Sequence, residues 1–99
     1  MATVDDITID YKEDDVLIVK QLDKEVLSKG AWTTILFKYQ QWDKKNEKYG
    51  EDKYTIRRYQ KKADVYSPRS KFNISSKDQA KKIIEVLQKW TEDQDLSQS

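Results

Sequence analysis

The sequence predicts an α+β fold, a four-stranded antiparallel curved sheet followed by a C-terminal amphipathic helix, in the order ββββα. Short segments before residue 75 alternate apolar and polar residues or form β-branched runs, which is the pattern of strands. Turn signals and charged clusters separate these segments, and apolar residues after residue 76 recur at helical spacing. We expect one domain at residues 1–90 and an acidic flexible tail at residues 91–99.

The N-terminal half contains three candidate strand segments. Residues 7–11 alternate apolar and polar side chains, as in a strand with one buried face, whereas the run 16–19 is typical of a strand covered on both faces. Whether these two segments pair as a hairpin stays open. After a turn at Gly30, a long strand at residues 32–42 carries aromatic rings on both faces, so we expect one face in the core and the other in contact with a partner.

The C-terminal half predicts a cationic strand and a capped helix. In the segment Lys53–Lys61 the odd positions form a basic face with one ring, Tyr59. Residues 63–69, which include the only proline, predict a connection, and residues 71–74 predict a short extended segment. The pattern Ser-x-x-Gln at residues 76–79 is a capping-box candidate, which predicts a helix from Lys77.

The apolar stripe of this helix is wider than one small sheet needs. Ile83, Ile84 and Leu87 are expected in the core, while Val86 and Trp90 extend the stripe. A chain of 99 residues has a small core and gains stability from association. The sequence therefore predicts contact with a partner subunit through Ile83, Val86 and Trp90.

The amino-acid composition removes most catalytic chemistry. The chain has no Cys and no His, so disulfides, thiolate metal sites and the commonest general base are absent. We expect no enzymatic activity, no cofactor and no metal. The acidic pairs at residues 14–15, 51–52 and 92–93 lack the ligand spacing of a calcium site. No apolar run is long enough to span a membrane, and a cytoplasmic location, nucleoid-associated if the protein is bacterial, is expected.

Charge segregation points to a polyanionic partner. Residues 1–25 carry eight acids and three bases, whereas residues 53–82 carry ten bases and two acids. Bases attract phosphates, and exposed rings stack on unpaired bases, so interleaved cations and rings favour single-stranded nucleic acid over duplex. The candidate binding residues are Lys38, Tyr39, Trp42, Lys53, Arg57, Tyr59, Lys61 and Lys71.

Three alternatives explain the same residues. The cations are the solvated side of an ordinary one-sided sheet, or the surface binds an acidic protein partner, because Arg and Tyr are common interface anchors. RNA is the third alternative, since its bases and phosphates offer the same contacts as those of DNA.

The order of features from residue 54 onward resembles that of the positive cofactor 4 family of transcriptional coactivators and their bacterial single-stranded-DNA-binding relatives. The resemblance rests on the strand Tyr-Thr-Ile-Arg-Arg-Tyr at 54–59, the segment Lys-Phe-Asn-Ile-Ser at 71–75 and the helix from Lys77. The strand start Gly-Ala-Trp at 30–32 is similar to that of the bacterial relatives, and the resemblance covers roughly residues 16–90.

This resemblance implies a homodimer whose two curved sheets form a channel for single strands, with helices at the subunit contact. The chain departs from the family pattern at two positions. Phe72 stands in place of the usual Gly, and Gln60 stands where a Trp often follows the strand Tyr. Trp42 and Tyr39 are the candidate replacements for that missing ring.

Overall fold

The structure, a computed structural model, describes the backbone of residues 3–97 and the side chains of residues 3–92. The fold is α+β, as predicted, with one curled antiparallel sheet that forms a half-barrel and one C-terminal helix. The sheet has six strands rather than four. The elements are a 3₁₀ turn at Val4–Asp6, β1 at Tyr11–Glu13, β2 at Val16–Ser28, β3 at Trp32–Asp43, β4 at Lys48–Tyr49, β5 at Lys53–Lys62, β6 at Val65–Ile74 and α1 at Lys77–Ser97.

The strands follow the order β1-β2-β3-β5-β6, and the short β4 pairs with β3 outside this path. Strand β2 is much longer than the apolar run that predicts it. It continues to Ser28 because it pairs with β3 over most of that strand's length, from Val19 opposite Gln41 to Ser28 opposite Thr34. Backbone pairing with β3 therefore extends the strand through residues that are too polar to be recognised from apolar periodicity.

The prediction of a strand at residues 7–11 is wrong for most of that segment. Only Tyr11 begins a strand, and residues 3–10, which we call the N-terminal strap, cross one face of the sheet instead. The side chains of Val4 and Ile9 are buried in the core cluster on that face of the sheet. The Ile9 amide donates to the Gln21 side chain rather than to the backbone of a neighbouring strand. The alternation of apolar residues in this segment reflects side chains that attach the strap to the core, and it does not indicate pairing with a neighbouring strand.

The predicted connection at residues 63–69 is also wrong. Strands β5 and β6 join through the two-residue turn Ala63–Asp64, and both residues have positive φ, as in the type I′ turns that suit hairpins. Pro68 lies inside β6. It is tolerated there because β6 is at the edge of the sheet and the register shifts at this point, opposite Tyr59.

Helix α1 begins where the sequence predicts. The Ser76 hydroxyl accepts the Gln79 amide at 3.0 Å, and the Gln79 side chain accepts the Ser75 amide at 2.6 Å. The helix packs against the end of β6 and continues past Thr91, where the predicted tail begins, to Ser97. Residues 98 and 99 of that tail lie outside the described chain. No helix in the described part of the chain is long and apolar enough to cross a membrane.

Candidate nucleic-acid interface

The alternation of β3 and β5 assigns every side chain to one of two faces. The inner face carries the odd-numbered residues of β3 and β5 together with their partners on β2 and β6, and the outer face carries the even-numbered ones. The core lies on the inner face, where Ile35 and Phe37 are fully buried. This settles which side of β3 is in the core, a point that the sequence left open.

Three predicted cations lie on the inner face, and two of them are neighbours. Arg57 on β5 is directly opposite Lys71 on β6, whereas Lys53 is four residues from Arg57, about 13 Å along β5, and its ammonium group donates to the Gln41 side chain at 2.9 Å. No carboxylate among the described side chains lies within 4 Å of any of the three. Arg57 is half-buried, and its Nε is buried without a hydrogen-bond partner in the described chain. Since like charges opposite each other destabilise a sheet, this cluster favours an anion between them.

The N-terminal strap covers the other half of the inner face. The Lys24 ammonium group donates to three strap carbonyls, those of Val4 at 2.9 Å, Asp5 at 3.1 Å and Ile7 at 2.7 Å. The Gln21 side chain accepts from the Thr8 hydroxyl at 2.9 Å and from the Ile9 amide at 3.1 Å. Two polar side chains of β2 therefore clamp the strap in place.

The strap shares a buried cluster with two of the three rings that the sequence assigns to base stacking. Tyr39 is 7% exposed and Tyr59 is 6% exposed, and both belong to the core cluster with Val4 and Ile9. Burial raises the pKa of the Tyr59 hydroxyl above its ordinary value, and the positive charge of the neighbouring Arg57 opposes this change. Tyr59 and Arg57 do share a face, but in this conformation neither tyrosine offers a free stacking surface.

Lys61 lies on the inner face at the hairpin end of β5. Its ammonium group is 3.8 Å from the Asp64 carboxylate and 5.6 Å from the Tyr66 ring centroid, so its charge is partly compensated. Beside it an open cleft of about 380 Å³ separates the strap from the β5–β6 hairpin. The cleft is lined by Thr3, Asp6, Ile7, Thr8, Tyr59, Val65, Tyr66 and Pro68.

The structure does not bring Lys38 and Trp42 to this site, because their even numbers in β3 place them on the outer face. The Lys38 ammonium group is 3.7 Å from the Asp52 carboxylate, and the Trp42 ring packs edge-to-face on Tyr49 at 5.1 Å between centroids. Tyr49 in turn donates to the Leu17 carbonyl at 2.9 Å. Trp42 thus anchors the short β4 rather than joining the cations of β5 and β6.

Sequence reasoning missed functional candidates on both faces. On the outer face the Arg58 guanidinium stacks over the Trp32 ring at 4.6 Å, and Phe72 is 52% exposed. On the inner face it missed Lys24 and Gln21, whose roles depend on the strap. The period-two alternation identifies Arg58 and Trp32 as members of the same face, but no local signal reveals a contact between β2 and residues 3–10.

The predicted subunit contact remains uncovered in the described chain. The prediction that Ile84 and Leu87 lie in the core is wrong, because these side chains are 62% and 52% exposed on a helix that contacts the sheet only near the end of β6. Trp90 is also more than half exposed, and Ile83 and Val86 are half-buried. On the outer face of the sheet Leu36, Ile56 and Phe72 are neighbours in register across three strands. Two apolar surfaces of one chain are therefore available for association.

Acidic side chains form no metal site in the described residues, where no group of three or more acidic side chains is arranged around a cation. Asp14 and Asp15 instead form the tight turn between β1 and β2, both with positive φ. Comparison of the chain with protein-family models, with curated proteins and with solved structures finds no match.

Proposed function

We propose that this protein binds single-stranded DNA, largely without sequence preference, along the inner face of its curled sheet. The observation that carries the proposal is the opposed cation pair Arg57 and Lys71, with Lys53 farther along the same face; none of the three has a carboxylate within 4 Å in the described chain. Phosphates are the ligands that such a cluster attracts, and their binding releases counterions.

Single strands fit this surface better than duplex. The cations share the inner face of the curled sheet with the rings of Tyr39, Tyr59 and the half-buried Tyr66, the first two of which are buried in one cluster with Val4 and Ile9 of the strap in this conformation. A flexible strand follows such a curve and turns its bases toward rings, whereas a duplex keeps its bases stacked inside. The protein therefore acts as a binding module with no catalytic step.

Fluorescence anisotropy with a labelled oligothymidylate of about 16 nucleotides, long enough for a site of usual size, tests the proposal. Affinity should exceed that for a duplex of equal length and should fall as salt rises, with a log–log slope of about −2 if three phosphates are neutralised. Equal affinity for the duplex, or no salt dependence, contradicts the proposal. Tighter binding of the matching RNA assigns the site to RNA.

Arg57 and Arg58 provide a matched pair, because they are adjacent in sequence and lie on opposite faces. Arg57→Ala should weaken binding by about tenfold, or about 1.4 kcal/mol, and Arg58→Ala should change it little. The reverse result moves the nucleic acid to the outer face. Circular dichroism of both variants checks that the sheet is intact, which is needed because Arg57 is half-buried.

We also propose that the active form is a homodimer joined through α1. Its stripe of Ile83, Val86, Leu87 and Trp90 is uncovered, and a second copy supplies both a matching helix and the apolar row of the outer face. Burial of such side chains is the main driving force for association. Dimerisation also doubles the number of cation clusters available to one strand of DNA.

A second candidate function is favoured by one observation on the outer face. The stacked pair Arg58 and Trp32 is exposed, and such residues often anchor protein interfaces. An acidic protein partner fits this pair. Purified protein that carries no nucleic acid, and that loses a partner upon Arg58→Ala but not upon Arg57→Ala, supports this function in place of DNA binding.

A further inference from the structure

We propose that the N-terminal strap is an intramolecular competitor of the DNA strand: it lies over the stacking rings of the inner face and must move aside before bases reach them. The inference rests on the proposed function and adds a regulatory step to it. Its basis is that Tyr39 and Tyr59 share one core cluster with Val4 and Ile9 of the strap.

The strap is held mainly by groups that can exchange partners. It makes no β-ladder pairs before Tyr11. The side chains of Lys24 and Gln21 clamp its backbone, and both are half-buried on β2 rather than sealed in the core. A lysine that donates to three carbonyls is equally suited to donate to phosphate oxygens. When the strap leaves, Lys24 therefore becomes an additional cation on the inner face.

The chemistry of the strap is similar to that of the ligand it excludes. Val4 and Ile9 place apolar groups on the aromatic rings, where bases would stack. The strap also carries three exposed acidic residues, Asp5, Asp6 and Asp10, so its charge has the same sign as that of phosphates. This complementarity explains why the acidic N-terminal segment and the basic β5–β6 hairpin belong to one chain.

The cleft between the strap and the hairpin gives the strand a point of entry. Its volume of about 380 Å³ falls within the range in which proteins hold small ligands, about 300–1,000 Å³. Tyr59 and Tyr66 line one side of it, and Ile7 and Thr8 of the strap line the other. A base that enters beside Tyr66 needs a wider cleft. The cleft widens when residues 7 and 8 of the strap move away from the hairpin.

Hydrogen–deuterium exchange of the full chain, with and without saturating oligothymidylate, tests this inference. Amides of the strap, above all Ile9, should exchange faster when DNA is bound, because the Gln21 side chain on β2 no longer lies opposite the Ile9 amide. Peptides from the β3–β4 turn at residues 43–48 serve as the internal control and should not change.

A charge-neutral variant supplies a second readout. Gln21→Ala removes the acceptor of the Thr8 hydroxyl and the Ile9 amide, so the open form becomes more populated and the affinity for oligothymidylate should rise by about threefold or more. Gln88→Ala, on the exposed side of α1, is the matched control and should leave affinity unchanged.

The outcomes separate this inference from the proposed function. Wild-type protein that fails to bind oligothymidylate overturns both. Binding accompanied by slower or unchanged exchange in the strap overturns the competition and leaves DNA binding intact. Binding with faster strap exchange supports the competition even if Gln21→Ala fails to fold, because that measurement uses the natural chain.

Discussion

Arg57 and Lys71 lie directly opposite each other on β5 and β6, and neither has a carboxylate neighbour within 4 Å among the described side chains. Side chains in this relation are about 5 Å apart at Cβ, close enough for two positive charges to destabilise the hairpin. A phosphate between them removes that repulsion and gains two charge-assisted hydrogen bonds. The proposed binding therefore predicts that phosphate affinity and the stability of the β5–β6 hairpin depend on the same residue pair.

Reversal of charge at Lys71 should separate binding from folding. Lys71→Glu places a carboxylate opposite Arg57, so the free energy of unfolding should stay equal or rise slightly. Affinity for oligothymidylate should nevertheless fall by about tenfold, and the salt slope should decrease by about 0.7 because one phosphate contact is lost. Anisotropy at several salt concentrations and urea unfolding measure the two effects.

Lys62→Glu is the control for this variant, since it makes the same charge change on an exposed outer-face side chain at the end of β5. At physiological salt the charges of exposed groups more than about 8 Å apart are largely screened, so binding should change little. An equal loss of affinity in both variants would mean that net charge, not the Arg57 site, governs binding.

Ala63, in the turn between β5 and β6, has a strained backbone conformation that a substitution can relieve. Its φ of 50° is in the left-handed region, which Asn adopts more readily than Ala. Ala63→Asn should raise the free energy of unfolding by about 0.5–1 kcal/mol, and Ala63→Val should lower it by about 1 kcal/mol because β-branched residues avoid positive φ. Urea unfolding of the two variants checks both signs, and identical values for both would contradict the assigned turn.

The sequence predicts an element correctly when the residues that determine it are close to each other in the chain. The helix start at Lys77 follows from Ser76 and Gln79, which bond to each other, and the long strand β3 follows from its own alternation. Strand β6 was missed because Pro68 usually excludes a strand. Pro68 is tolerated because β6 lies at the edge of the sheet and because the register with β5 shifts at this residue, and both are properties of the assembled sheet.

The site was only partly predictable for the same reason. Alternation correctly groups Arg57 with Tyr59, and pairing with β6 adds Lys71 to them. Tyr59, however, is buried in one cluster with Val4 and Ile9, which lie 55 and 50 residues earlier in the chain. Contacts between such distant segments leave no periodic signal in either segment, so the sequence predicts a strand at residues 7–11 instead.

The pH dependence of stability reports the burial of Tyr59. Because burial raises its pKa above the ordinary value of about 10, the unfolded chain loses the phenolic proton first as pH rises. The free energy of unfolding should therefore decline as pH rises above about 10. Tyr59→Phe should remove this component of the decline, which urea unfolding at about pH 9 and about pH 11 measures; an unchanged decline would contradict a buried hydroxyl at this position.

In the proposed competition, the burial energy that Val4 and Ile9 lose when the strap leaves is similar to the stacking energy that bases gain in its place. Burial of Val4 and Ile9 contributes about 1.5–3 kcal/mol for each side chain. A stacked base contributes about 1–3 kcal/mol, so two or three bases replace what the strap loses. The proposed competition therefore predicts that the strap weakens DNA binding without preventing it, and that strap variants change the affinity by a few-fold.

Helix α1 gives the test of the dimer. Val86→Glu places a charge within the uncovered stripe and should convert a dimer to a monomer in sedimentation velocity, because an unpaired charge is costly to bury at a subunit contact. Lys81→Glu is the control: it lies on the opposite side of the helix, is exposed, and should leave the dimer intact. Folding of the sheet should be unaffected in both variants, since α1 contacts it mainly at β6. A wild-type chain that sediments as a monomer at all concentrations would refute the dimer, whereas dimers in both variants would move the contact from α1 to the outer face of the sheet.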